Sequence, residues 1–163
     1  MLRQRYRIEY LAAWEYNTNV TEANSLNMIT ISAENAKENL KLSQAIRNLR
    51  YDHLDDPCIQ RQAKILANPG VDILNENDFK ALKNAVTNMQ TNYASTKVCS
   101  YKNPSNCSLT LEPHIQERLS NSRDPKELAH YWQEWHNKAG TPMKENFAKY
   151  VELSGKAAKL NSK

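Results

Sequence analysis

The chain has 163 residues, the length of one domain or a piece of one, and 40% of them are hydrophobic, which excludes a disordered polar polypeptide. Twenty-two basic and 18 acidic residues leave a net charge of +4, and they are interspersed, so the concentrated basic patch of a nucleic-acid or membrane-surface binder is missing. No stretch approaches the roughly eighteen apolar residues of a membrane helix.

Glycine is scarce, at three residues, and the six prolines sit at element boundaries, a balance that favours helices over strands and hairpins. Residues 3–16 read as a short helix with Ile8, Leu11, Trp14 and Tyr10 on its apolar side. The same stretch, MLRQRYRIEYLAAWEY, lacks the apolar centre of a secretory signal. Asn19-Val20-Thr21 is a glycosylation sequon, and Thr21 also fits as the cap of the next helix. That helix, about 22–51, is long and polar, with Ile29, Ala33, Ala36 and Leu40 on a thin apolar face. Asp55-Asp56-Pro57 breaks it, and a short helix of about 58–67 ends at Asn68-Pro69-Gly70.

Residues 71–74 are a connector and the one place suited to a brief extended segment. Asn75 then caps the clearest helix of the chain, with Phe79, Leu82, Val86, Met89 and Tyr93 spaced three, four, three, four. A turn-forming run, Lys102-Asn103-Pro104-Ser105-Asn106, separates Cys99 from Cys107. Two cysteines bracketing such a reversal can reach bonding distance. In an oxidising compartment the bond would add about 2.5 kcal/mol in the chain-entropy model; in a reducing one they would be two buried thiols. Cys58 is left over.

A helix from Pro113 to about Ser120 follows. Asp124-Pro125-Lys126-Glu127 is a strong start signal, with cap, proline at the first helical position and Glu at the third. The helix that it opens carries Leu128, Tyr131, Trp132 and Trp135 and stops at Gly140. Thr141-Pro142 opens the last one, with Met143, Phe147, Tyr150, Val151 and Ser154 along one side. The reading is all-α, with about six helices and no internal repeat.

The chemistry-bearing residues are few. The four histidines, His53, His114, His130 and His136, stand in no His-Glu-x-x-His context, and His130 and His136 lie six apart, on different faces of a helix. Glu134 beside them reads as part of a solvated face. There is no phosphate-binding glycine loop and no Ser or Cys nucleophile on an elbow. By these arguments alone the chain is a helical, non-catalytic piece of an extracellular protein.

Three blocks carry a resemblance to a known family. They are Trp14-Glu15-Tyr16-Asn17-Thr18-Asn19-Val20-Thr21; then Asn92-Tyr93 through Val98-Cys99 with Cys107 and Leu111-Glu112-Pro113; then Ser122-Arg123-Asp124, Leu128, Trp132, Trp135, Lys138-Ala139-Gly140 and Tyr150-Val151-Glu152-Leu153 through Lys156-Ala157-Ala158-Lys159-Leu160. In this order they make the chain resemble the N-terminal part of the angiotensin-converting enzyme family, zinc peptidyl-dipeptidases, with the arthropod members the best match. The resemblance implies a single partial domain over 1–163, forming the helical lid and one cleft wall of a larger, mostly helical metallopeptidase whose zinc-binding portion lies downstream. It implies a secreted or extracellular hydrolase that releases dipeptides from the C-termini of oligopeptides, using zinc and modulated by chloride, with neither bound by this chain.

Carried over residue by residue, Cys99 and Cys107 match the family's first disulfide, which leaves Cys58 as a free thiol. Asn19 matches a glycosylation site, and Glu112 matches an acidic residue facing the substrate pocket. Asn106-Cys107-Ser108 is a second formal sequon. Gln90 is neutral where the family can have an acidic residue lining the cleft. His136 stands where some members have a chloride-binding arginine, and a neutral imidazole replaces a permanent cation poorly. Both ends read as truncated. The alternative is a natural short form that binds peptides, or acts as a decoy, without chemistry.

Overall fold

A computed structural model describes residues 2–162 and is all-α. Met1 and Lys163, the ends of the expected domain span, lie outside the described residues. The helices are α1 (Leu2–Thr18), α2 (Glu22–Asn48), α3 (Pro57–Leu66), α4 (Glu76–Ser95), α5 (Gln116–Asn121), α6 (Pro125–Trp135) and α7 (Lys144–Asn161). The only extended pairing among the described residues is a single antiparallel bridge between Val98 and Leu109.

Local chemistry sets the boundaries. The Thr21 hydroxyl accepts the Asn24 N–H at 3.2 Å and starts α2. The Asp56 carboxylate accepts the Cys58 and Ile59 N–H groups, and Pro57 takes the first position of α3, where a missing donor costs nothing. The Asn75 side chain accepts the Asp78 N–H at 2.9 Å and opens α4. Asp124 caps α6 through the Lys126 N–H at 2.9 Å. The connector expected to be extended over 71–74 is instead a 3₁₀ turn, Gly70–Ile73, with only Leu74 extended: Gly70 adopts φ +58°, which reverses the chain tightly, and the Leu74 N–H closes onto the Val71 carbonyl.

The chain forms two compact units, Met1–Asn84 with Lys149–Lys163, and Ala85–Ala148. In the first, Ala33 and Ala36 of α2, Leu74, Phe79 and Leu82 of α4, and Leu153 and Ala157 of α7 make the core. The small Ala side chains of α2 and α7 and the larger Phe and Leu side chains pack together in one buried cluster. Ion pairs ring this core. Glu76 takes both Lys37 and Lys80 at 2.7 Å, and Lys156 of α7 pairs with Asp78.

The face that α1 buries differs from the expected one. Ile8, Leu11, Trp14 and Tyr10 are all exposed, Trp14 by 67%. The buried positions are Ala12 and Tyr16, with Glu9 half-buried on the same side. Glu9 explains the rotation. Its two carboxylate oxygens accept from the Ser32 hydroxyl at 2.9 Å and the Asn35 amide at 2.8 Å, both buried on α2. A carboxylate with two donors facing it is satisfied at a packed interface, and two small or flat side chains then fill the remaining contact.

The second unit is built on Val98, Ile115 and Tyr131, each with 1% exposure or less, with Tyr101, Leu109, Leu111 and Trp135 packed around them. The Tyr131 hydroxyl accepts the Tyr101 N–H at 3.2 Å, so the largest buried side chain also meets its polar requirement.

Candidate functional site

The second unit holds most of the residues singled out from the sequence. Its centre is the segment from Thr96 to Gln116. Val98 and Leu109 exchange N–H···O bonds of 2.8 and 3.1 Å, a one-rung ladder. Just outside that rung Cys99 and Cys107 are joined by a disulfide, eight residues apart in sequence. Within the loop, Ser100 N–H donates to the Asn106 carbonyl and Asn106 N–H to the Asn103 carbonyl. His130 of α6 bonds through Nε2 to the Cys99 carbonyl at 3.0 Å. Cys58 is free and exposed at the start of α3, in the other unit.

Three residues past Leu109 stands Glu112, exposed, with extended backbone angles inside a wide helical turn of Leu111–Ile115. The Glu112–Pro113 peptide is cis. Thr110 holds this turn: its hydroxyl donates to the Glu112 carbonyl at 2.6 Å and lies 2.9 Å from His114 Nδ1. Glu112 Oε1 accepts from the Gln116 amide at 3.0 Å. Ile115, fully buried, anchors the far end of the turn in the core. The carboxylate is therefore presented to solvent from a segment fixed on both sides.

The histidines are not brought together. His114 turns onto Thr110, His130 onto the Cys99 carbonyl, and His136 Nδ1 lies 2.6 Å from the Trp132 carbonyl with its ring 4.2 Å from the Trp132 ring. No group of three or more His, Cys, Asp or Glu side chains able to hold a metal occurs among the described residues, so the residues present do not fit a zinc site. The His136 ring is thus engaged by Trp132. Gln90 is exposed on α4, and Asn19 is exposed directly after α1, with its carbonyl accepting the Asn24 amide at 2.9 Å.

Two features of this unit escaped the sequence reading. Glu127, expected only as a helix-start carboxylate, is buried and accepts the Ser122 hydroxyl at 2.7 Å, while Ser122 Oγ accepts the Asp124 N–H. The sequence signal was there in Ser122, five residues before Glu127. Asn92 of α4 donates to the Ala139 carbonyl at 2.7 Å, and Tyr93 meets Trp135 edge-on at 5.5 Å. These tie the end of α4 to the turn after α6, and no short-range pattern announces them.

An all-α scaffold thus fixes a disulfide loop and one exposed carboxylate, with no metal-holding cluster among the described residues. The family model for peptidase M2, angiotensin-converting enzyme, matches residues 1–162, and the chain belongs to that family. It is 57% identical over 160 residues to an angiotensin-converting enzyme-related protein of Drosophila melanogaster, covering 98% of this chain and 25% of that protein. It is 38% identical over 161 residues to an angiotensin-converting enzyme of Haematobia irritans exigua, covering 99% and 26%. An angiotensin-converting enzyme of Mus musculus is 32% identical over 154 residues, covering 94% and 12%. The chain thus spans about a quarter or less of the length of these relatives.

Proposed function

We propose that this chain is the N-terminal portion of a secreted, zinc-dependent peptidyl-dipeptidase, forming part of one wall and the lid of its substrate cleft. The observation that carries this reading is the family match over residues 1–162, together with an exposed Glu112 held on a fixed turn. Glu112 supplies a carboxylate for a polar or cationic group of an oligopeptide. Zinc and its ligands belong to the portion beyond this chain, as does the general base. The chain alone is inactive. Asn19 is a glycan acceptor, and the disulfide of Cys99 with Cys107 serves to hold Glu112 in place.

The exposed apolar surface favours a piece of a larger body over a free-standing decoy. Trp132 lines an apolar depression of about 750 Å³ with Leu119, Leu128 and Ala129, a patch that a self-sufficient binding protein would ordinarily cover. The test is Glu112→Gln in the polypeptide encoded by the full transcript, assayed for C-terminal dipeptide release across a peptide series. The reading expects KM to rise for peptides with a cationic partner for Glu112, with kcat little changed. Unchanged KM for every peptide would remove Glu112 from the substrate pocket.

A further inference from the structure

We propose that Asn106 is a second glycan acceptor whose use is decided by closure of the Cys99–Cys107 bond. The inference rests on the extracellular reading above. Asn106-Cys107-Ser108 is unusual in that its middle residue is itself half of a disulfide. All three residues are exposed. The Ser108 hydroxyl donates to Asn106 Oδ1 at 2.6 Å, and the Ser108 N–H reaches the same oxygen at 3.3 Å. The tripeptide is a formal acceptor sequon on an exposed loop, and Nδ2, the nitrogen that would be glycosylated, makes no hydrogen bond to the described residues, while Oδ1 takes both Ser108 donors.

The closed loop nonetheless withholds the tripeptide. A transferase must take the acceptor as an extended segment with free backbone groups. Here the Asn106 N–H is spent on the Asn103 carbonyl and the Asn106 carbonyl on the Ser100 N–H. Cys107 is tied to Cys99, and its sulfur lies 3.4 Å from the Pro104 carbonyl, with the Asn103-Pro104-Ser105 turn folded against it. Opening this arrangement requires the disulfide to be absent.

Two reactions therefore compete for one segment. In the first, the Cys99 and Cys107 thiols give up two protons and two electrons to a protein disulfide, which is reduced to a dithiol. In the second, Asn106 Nδ2 forms a bond to the anomeric carbon of an oligosaccharide carried on a lipid diphosphate. The glycosyl–phosphate bond breaks, the lipid diphosphate leaves, and Nδ2 loses a proton. Asn19, in the connection before α2 and remote in sequence from any cysteine bond, faces no such competition.

The experiment produces the chain in eukaryotic secretory cells behind a cleavable leader and reads site occupancy by glycopeptide mass spectrometry. Wild type is expected to carry a glycan at Asn106 in only a minority of molecules. Cys99→Ser, which keeps the sequon intact, is expected to raise that occupancy several-fold while leaving Asn19 unchanged. A brief pulse of membrane-permeant thiol during synthesis of the wild-type chain is expected to do the same without any substitution. Equal Asn106 occupancy with and without the bond overturns the proposal, as does a bare Asn106 in Cys99→Ser molecules that are glycosylated at Asn19. Failure of the extracellular reading would look different: the natural protein would be found inside cells with both cysteines as thiols.

Discussion

Replacing Glu9 with alanine is expected to destabilise the first unit far more than replacing Trp14, although Trp14 is the larger and more hydrophobic side chain. Glu9 accepts from Ser32 and Asn35, which are only 6% and 8% exposed. Removing the acceptor leaves two buried donors unpaired, at about 1–3 kcal/mol each, or roughly 2–5 kcal/mol together once partial rearrangement is allowed for. Trp14 is 67% exposed, and a surface truncation of that kind stays within about 0.5 kcal/mol. Urea denaturation of both variants, followed by circular dichroism, gives the midpoints directly. Glu9→Gln should recover part of the loss, because an amide oxygen still accepts one donor. If Trp14→Ala lowers the midpoint more than Glu9→Ala, the described face of α1 is wrong and the apolar face expected from the sequence is the packed one.

Leu153→Ala, at 1% exposure in the core of the first unit, should cost about 2–5 kcal/mol and leave a cavity; a midpoint shift comparable to that of a surface variant would contradict the packing. Asp72 is held above the usual carboxylate range, chiefly by burial, with the Asn39 amide at 3.0 Å opposing the shift. A raised folded-state pKa means the folded form binds more protons, so this carboxylate loses stability as pH rises through the window above 3.8. Asp72→Asn should therefore melt at least as high as wild type at pH 7, with the advantage fading in acid. Glu76 is held down to about 2 by hydrogen bonds first from Lys37 and then from Lys80. Its contribution is present above 4.5 and lost as pH falls toward 2, so the small deficit of Glu76→Gln at neutral pH should vanish in acid and shrink in salt.

The parts of the fold that could be read in advance are those fixed by local chemistry. Thr21, Asn75 and Asp124-Pro125 each announced a helix start, because a side-chain acceptor beside orphan N–H groups acts within a few residues, while Asp56-Pro57, read only as a break, also caps α3. Phe79 and Leu82 were legible as core because apolar spacing coincided with burial. α1 misled because its buried stripe is made of Glu9, Ala12 and Tyr16, and a hydrophobicity pattern is blind to a carboxylate matched by two donors on another helix. The connector expected at 71–74 was misjudged because the positive φ of Gly70 sets a 3₁₀ turn over Gly70–Ile73, which an apolar run does not announce. Around Glu112, the turn formers at 102–106 and the helix after Pro113 were legible, but the Thr110 and Gln116 contacts that orient its carbonyl and carboxylate carry no sequence pattern of their own.

The most direct test of the proposed role compares residues 1–163 with the polypeptide encoded by the full transcript, each purified and incubated with zinc and a blocked tripeptide. The account predicts chelator-sensitive release of a C-terminal dipeptide by the longer polypeptide and none by the chain alone. Release by the chain alone, or its absence from the longer polypeptide under conditions where that polypeptide is folded and zinc-loaded, would contradict it.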